Sequence, residues 1–222
     1  MNAKRILTFL GELAQNNNRD WFQENKSTYL ECKKDFEQFV EQWIQRMTEL
    51  DSRLAVLTPA DCNWRIYRDT RFSLDKTPYK DHFGSFVAAY GGKKSQWAGW
   101  YMHLQPGQCM FAAGMWCPEP ELLRAVRTSL YDNYEEVEQI MSDKHFKQYF
   151  TDFDTDYTLK KVPAGFPADF KHADWLKLKM FSVSCRLTNK EVCATDFLDH
   201  FMDICIAAKP MNDFLNYTFE EM

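Results

Sequence analysis

Between Trp97 and Trp116 the chain holds a stretch that sorts its side chains onto two contrasting faces when folded back at Pro106-Gly107. With those two residues as the turn, Gln105 pairs with Gln108 and His103 lies opposite Met110. Side chains alternate across a strand. One face then collects Ala98, Trp100, Met102, Leu104, Cys109, Phe111, Ala113 and Met115. That face is wholly apolar and must be buried, so the hairpin requires a partner layer. The other face carries Gly99, Tyr101, His103, Met110, Ala112 and Gly114, flanked by Trp97 and Trp116. Small residues in a strand mark the close approach of a ligand or of another backbone. The alternative is a helix packed over this face, with His103 a satisfied buried histidine.

The rest of the pattern supplies helices on both sides of such a sheet. Ile6, Leu7, Leu10, Leu13 and Ala14 recur at helical spacing over residues 3–15, and Asn16-Asn17-Asn18 ends that run. Phe22, Tyr29, Phe36, Phe39, Val40, Trp43, Ile44 and Met47 predict a helix from Arg19 to about Leu50, broken near 25–28. Short strands are expected at Trp64–Arg68 and His82–Tyr90, with a polar loop over 69–80, and further strands at 157–162 and 180–187. Cys117-Pro118-Glu119 opens a helix to about Tyr131, followed by another over 133–141. A last helix starts near Asn189 and is expected to end before Pro210. The expected fold class is α+β: a central antiparallel meander packed by N-terminal, middle and C-terminal helices. Residues 1–222 read as a single domain, with 206–222 a peripheral tail.

Composition narrows the function classes. The net charge of −5 excludes a global basic field for nucleic acid or an anionic membrane. Seven Cys with no C-x-x-C pair do not read as a disulfide framework, and free thiols fit a reducing, cytoplasmic setting. No signal peptide, membrane span, metal-ligand spacing or cofactor motif is read from the residues, so no cofactor and no metal are expected.

Charge is concentrated at one place. From Arg65 to His82 there are five Lys/Arg (Arg65, Arg68, Arg71, Lys76, Lys80) against three Asp (Asp69, Asp75, Asp81), a local +2. Guanidinium forks grip phosphate or carboxylate and Lys adds a point charge. The reading is a cleft for a small anionic ligand: Arg68, Arg71, Lys80 and Lys76 hold the anion with Tyr101, Asp69 orients an Arg, and His103 serves as acid or base. An alternative is a nucleic-acid-binding module, with Trp64, Tyr67, Phe72 and Tyr79 stacking on bases between the same cations. Another is a non-enzymatic interaction domain in which the Arg/Asp loop is a brace.

Six segments carry a resemblance. They are Asn17-Asn18-Arg-Asp-Trp-Phe, Arg65-Ile-Tyr-Arg-Asp-Thr-Arg-Phe72, Asp75-Lys-Thr-Pro-Tyr-Lys80, Tyr101-Met-His-Leu-Gln-Pro-Gly107, Gly114-Met-Trp-Cys-Pro-Glu-Pro120 and Leu176-Lys-Leu-Lys-Met-Phe181. Together they resemble a family of conserved hypothetical proteins numbered 2461 among the domains of unknown function. The resemblance runs to about residue 205. It implies that the cationic segment and the hairpin belong to one recurring architecture, and it carries no activity with it.

Overall fold

The computed structural model describes residues 1–221. In chain order it contains α1 (Ala3–Gln15), α2 (Arg19–Glu24), α3 (Lys26–Thr48), α4 (Pro59–Cys62), β1 (Phe83–Val87), β2 (Gly99–Leu104), β3 (Met110–Met115), α5 (Pro120–Asp132), α6 (Tyr134–Ser142), α7 (Lys144–Tyr149), α8 (Ala173–Lys177), β4 (Phe181–Arg186), α9 (Asn189–Val192) and α10 (Phe197–Glu220). The four strands form one antiparallel meander in the order β1-β2-β3-β4, and the class is α+β. No helix among the described residues is long and apolar enough to cross a membrane.

The chain divides into two compact units, each discontinuous in sequence. Among the described residues, one comprises 1–94, 101–111 and 186–202, the other 95–100, 112–185 and 203–221. In the first, Asn2 and Asn18 accept from the backbone N–H of Arg5 and Trp21 and so start α1 and α2. Asn25 both ends α2 and precedes α3, which is the expected break. The buried face of α3 packs Phe39 on Phe197 at 5.6 Å and Trp43 edge-on to Phe201 at 5.0 Å.

The apolar hairpin face is buried throughout: Trp100, Met102, Leu104, Phe111, Ala113 and Met115 are each at most 3% exposed. The Gln108 N–H bonds the Gln105 carbonyl and closes the turn as the register requires. Two expected strands are not strands. Trp64–Arg68 forms only the isolated bridges Asn63 to Ser85 and Tyr67 to Tyr79, and residues 157–162 make a single bridge from Thr158 to Leu178. Each meets its partner over too few residues to form a continuous ladder.

The C-terminal expectation is also corrected. Helix α10 runs through Pro210. Proline leaves the carbonyl four residues earlier without its N–H, here that of Ile206. Both Ile206 and Pro210 lie on the exposed side of the helix, where water can reach the freed carbonyl. The residues beyond are not peripheral: Met211, Phe214 and Leu215 are buried, as are Asn212 and Asn216. The Asn216 amide accepts from the Ala98 N–H at 2.8 Å and donates to the Ala98 carbonyl at 3.1 Å, while Asn212 donates to the Gly99 carbonyl at 2.9 Å. Two side chains thus stand in for a missing strand at the entry to β2. Met222 lies outside the described residues. Replacing Asn216 by Ala orphans both Ala98 groups and should cost roughly 2–3 kcal/mol in urea unfolding, whereas Tyr217→Phe on the exposed side should leave the unfolding midpoint nearly unchanged.

Candidate functional site

The cationic segment is an irregular hairpin whose arms are paired in two different registers. The Arg68 N–H bonds the Pro78 carbonyl and the Lys80 N–H bonds the Ile66 carbonyl, around the Tyr67–Tyr79 pair. Further along, the Trp64 N–H bonds the Gly84 carbonyl. The step from Trp64 to Ile66 is two residues, and the step from Lys80 to Gly84 on the facing arm is four, so two residues are extra. Asp81 and His82 occupy that bulge, which takes them out of the ladder and turns their side chains aside. Tyr79 is held from both sides. Its ring stacks on Phe22 at 3.9 Å, and its own N–H and carbonyl pair with the Asn17 side chain at 3.1 and 3.0 Å.

This pairing sorts the charges. Tyr67 and Tyr79 share one face of the hairpin and both meet Phe22. The neighbouring pairs, Arg68 with Pro78 and Ile66 with Lys80, point to the opposite face, so Arg68 and Lys80 stand on the same side. Arg68 bonds the Asp75 carboxylate and the Thr77 hydroxyl. Asp75 is held low, at about 2, first by the Thr77 N–H and then by Arg68. Among the described residues the side chains of Lys80 and Arg65 make no ion pair or hydrogen bond, although the charge of Arg65 is felt by Asp69 and helps to hold that carboxyl low. Burial pushes the Lys80 ammonium below the usual lysine range, and Arg65 and Arg68 push it the same way. The one acid beside Lys80 in sequence is engaged elsewhere, since Asp81 accepts from the Gln105 amide at 2.9 Å.

That bond sets the state of the neighbouring imidazole. An ionised carboxylate only accepts, so Gln105 turns its nitrogen to Asp81 and its oxygen to His103. His103 Nε2 therefore carries the proton and donates to Gln105 Oε1 at 2.9 Å, and Nδ1 accepts from the Tyr101 hydroxyl at 2.8 Å. Both nitrogens of His103 are occupied. Tyr101 in turn is pushed up to about 12 by burial. Its hydroxyl has room because residue 84 is glycine, where a Cβ would stand 3.0 Å from that oxygen. The ring of His82 stacks on His103 at 4.4 Å. His82 Nδ1 lies 3.4 Å from Asp81, and its Nε2 has no protein partner among the described residues.

Of the residues singled out in the sequence, Arg68 and Lys80 come together, and Tyr101 and His103 join them through His82 and Asp81. Arg71 and Asp69 do not. They form their own ion pair at 2.6 Å, with the Arg71 side chain 77% exposed, an arrangement that solvent screening leaves weak. Lys76 donates to the Thr70 carbonyl within the same loop. The small-residue face keeps Tyr101, His103, Met110 and Ala112 partly exposed, while Gly114 is small for a structural reason: a Cβ there would lie 2.1 Å from the Phe181 carbonyl oxygen. Two residues of the site, Arg65 and His82, were not assigned to it from the sequence. Arg65 lay inside the counted charge cluster. His82 had as its signal a place two positions ahead of Gly84, at the mouth of an apolar strand.

Burial, then the neighbouring His103, holds the His82 imidazole below the usual histidine value of 6.5, with Asp81 opposing. The unfolded chain thus takes up a proton more readily than the folded one as pH falls through 6.5, and stability is lost on acidification. In urea titrations His82→Gln should flatten the fall in unfolding free energy between pH 6.5 and about pH 5 relative to the parent.

No curated protein and no solved structure matches the chain. A family model described as "Conserved hypothetical protein (DUF2461)" matches residues 5–214, a span that contains every residue of the site. The chain belongs to the DUF2461 family of conserved hypothetical proteins.

Proposed function

We propose that Arg65, Arg68 and Lys80 bind a small anionic ligand, phosphate- or carboxylate-bearing, with His82 as the imidazole that exchanges protons with it. The observation that carries this reading is the half-buried Lys80 side chain, which shares a hairpin face with Arg68 and has no acid or hydrogen-bond partner among the described residues. A partly desolvated ammonium without a counter-ion destabilises the empty protein, and an anion beside it supplies the missing charge. His82 takes the acid/base role from His103 because only its Nε2 is unengaged. Asp81 orients His82 from behind, and Trp64, edge-on to Tyr101 at 5.7 Å and 39% exposed, offers an apolar flank.

A second reading rests on the loop tip, where Phe72 is 95% exposed with the Arg71 guanidinium 5.8 Å from its ring centre. Exposed rings between cations suit single-stranded nucleic acid. The net charge of −5 opposes it, and binding of a labelled oligonucleotide that weakens steeply with salt is the measurement that would favour it.

Thermal unfolding at constant ionic strength tests the anion reading. Phosphate or pyrophosphate in place of chloride should raise the melting temperature, by the equivalent of about 2.7 kcal/mol at roughly 100 times Kd. Lys80→Gln and Arg65→Gln should abolish most of the increase, and Arg71→Gln should leave it intact. Identical melting in phosphate and chloride would sink the reading.

A further inference from the structure

We propose that the loop joining the arms of the cationic hairpin is a latch: the Asp75 carboxylate occupies the anion-binding position on Arg68, and a phosphate- or carboxylate-bearing ligand displaces it to reach Arg68 and Lys80. This rests on the anion-site reading above and adds how that site is regulated.

The pairing of the arms places the groups. Arg68 faces Pro78 and Ile66 faces Lys80 around the Tyr67–Tyr79 bridge. Arg68 and Lys80 are therefore diagonal neighbours on one face, roughly 7–8 Å apart, a span that two long side chains close around one small anion. The loop between the arms holds two acids. Asp69 pairs with Arg71, and Asp75 pairs with Arg68. Arg68 also donates to the Thr77 hydroxyl, and Asp75 Oδ1 accepts from the Thr77 N–H and from that hydroxyl, each at 2.9 Å. Arg68, Asp75 and Thr77 thus close a ring of bonds at the base of the loop.

Three features make this ring displaceable. Both Arg68 bonds leave from Nη1, and among the described residues Nε and Nη2 have no partner. An incoming phosphate can grip two nitrogens of the fork where Asp75 holds one. It also gains Lys80, to which Asp75 makes no bond. The acid is the reachable partner, since its side chain is 54% exposed and that of Arg68 only 28%. Finally, the loop tip buries little that would resist its movement: Phe72 and Leu74 are 95% and 103% exposed, and Lys76 and Arg71 bond within the loop itself. The Thr77 N–H first, and then Arg68, hold the Asp75 carboxyl down to about 2, so the latch stays ionised at neutral pH and the ligand opens it.

Calorimetric titration with inorganic phosphate at constant ionic strength tests the latch in the parent, Asp75→Asn and Thr77→Val. A site closed about nine-tenths of the time binds its ligand roughly tenfold more weakly than the open site, so Asp75→Asn should tighten binding by about that factor. Thr77→Val keeps every charge and the backbone N–H but removes the hydroxyl shared by Arg68 and Asp75, and should tighten binding by a smaller factor. Phosphate should also speed chymotrypsin cleavage after Phe72 in the parent, and Asp75→Asn should be cleaved at the faster rate without phosphate. If the parent binds phosphate and Asp75→Asn binds it no more tightly, the latch is overturned and the anion site stands. Tighter binding by Asp75→Asn, with Thr77→Val and the cleavage rates unchanged, would mean that the lost charge acts at a distance, and would likewise overturn the latch. A parent that binds no phosphate overturns both.

Discussion

Backbone groups left over where strands stop pairing are the constraint on which both units of this protein depend. A buried N–H or carbonyl without a partner costs more than most side-chain contacts return. Here the short strands leave such groups at Tyr79 and at Ala98, and an asparagine answers each. Asn17 closes both backbone groups of Tyr79, and Asn216 closes both groups of Ala98. A primary amide carries one donor and one acceptor in a plane, so it can complete a strand edge where no strand exists. Asn17 lies just before α2 and Asn216 lies in the last turns of α10. Distant segments of sequence are thus tied to the sheet by hydrogen bonds that a hydrophobic pattern does not reveal.

The same pairing problem produces the candidate site. The two arms of the 64–84 hairpin cannot continue in one register, and two extra residues are expelled at Asp81-His82. Expulsion turns Asp81 toward Gln105 and sets His82 on His103. An acid that could have neutralised Lys80 instead fixes a glutamine, and the glutamine fixes the tautomer of His103. What remains, among the described residues, is a lysine without a counter-ion and, two positions along the chain, an imidazole whose Nε2 has no partner. In the loop beyond, Asp69 and Asp75 neutralise Arg71 and Arg68. Cation density in the sequence was a sound guide to the region, but a poor guide to which cations stand unpaired.

Legibility followed the range of the interactions involved. The hairpin faces were readable because alternation is a local property, and the buried set from Trp100 to Met115 follows from it directly. The breaks at Asn16 and Asn25 were readable because helix caps are made within a few residues. The strand expected at Trp64–Arg68 failed because its partner is interrupted by a bulge, which no period shows. Helix α10 was expected to stop at Pro210, since a proline inside a helix removes a hydrogen bond. The loss is tolerated because that side of the helix meets water while the other side is buried.

From the order of its residues alone, this chain specifies an antiparallel hairpin with one apolar face, helices before and after it, and a cationic segment at Arg65–His82. These rest on periodicity, capping and local charge, which act over a few residues. Only the tertiary structure decided that, among the described residues, His82 rather than His103 keeps a nitrogen without a partner, that Arg71 is spent on Asp69, and that Lys80 meets no acid. Those outcomes depend on which donor meets which acceptor across the fold, and a hydrogen bond or ion pair once made occupies the atoms that form it.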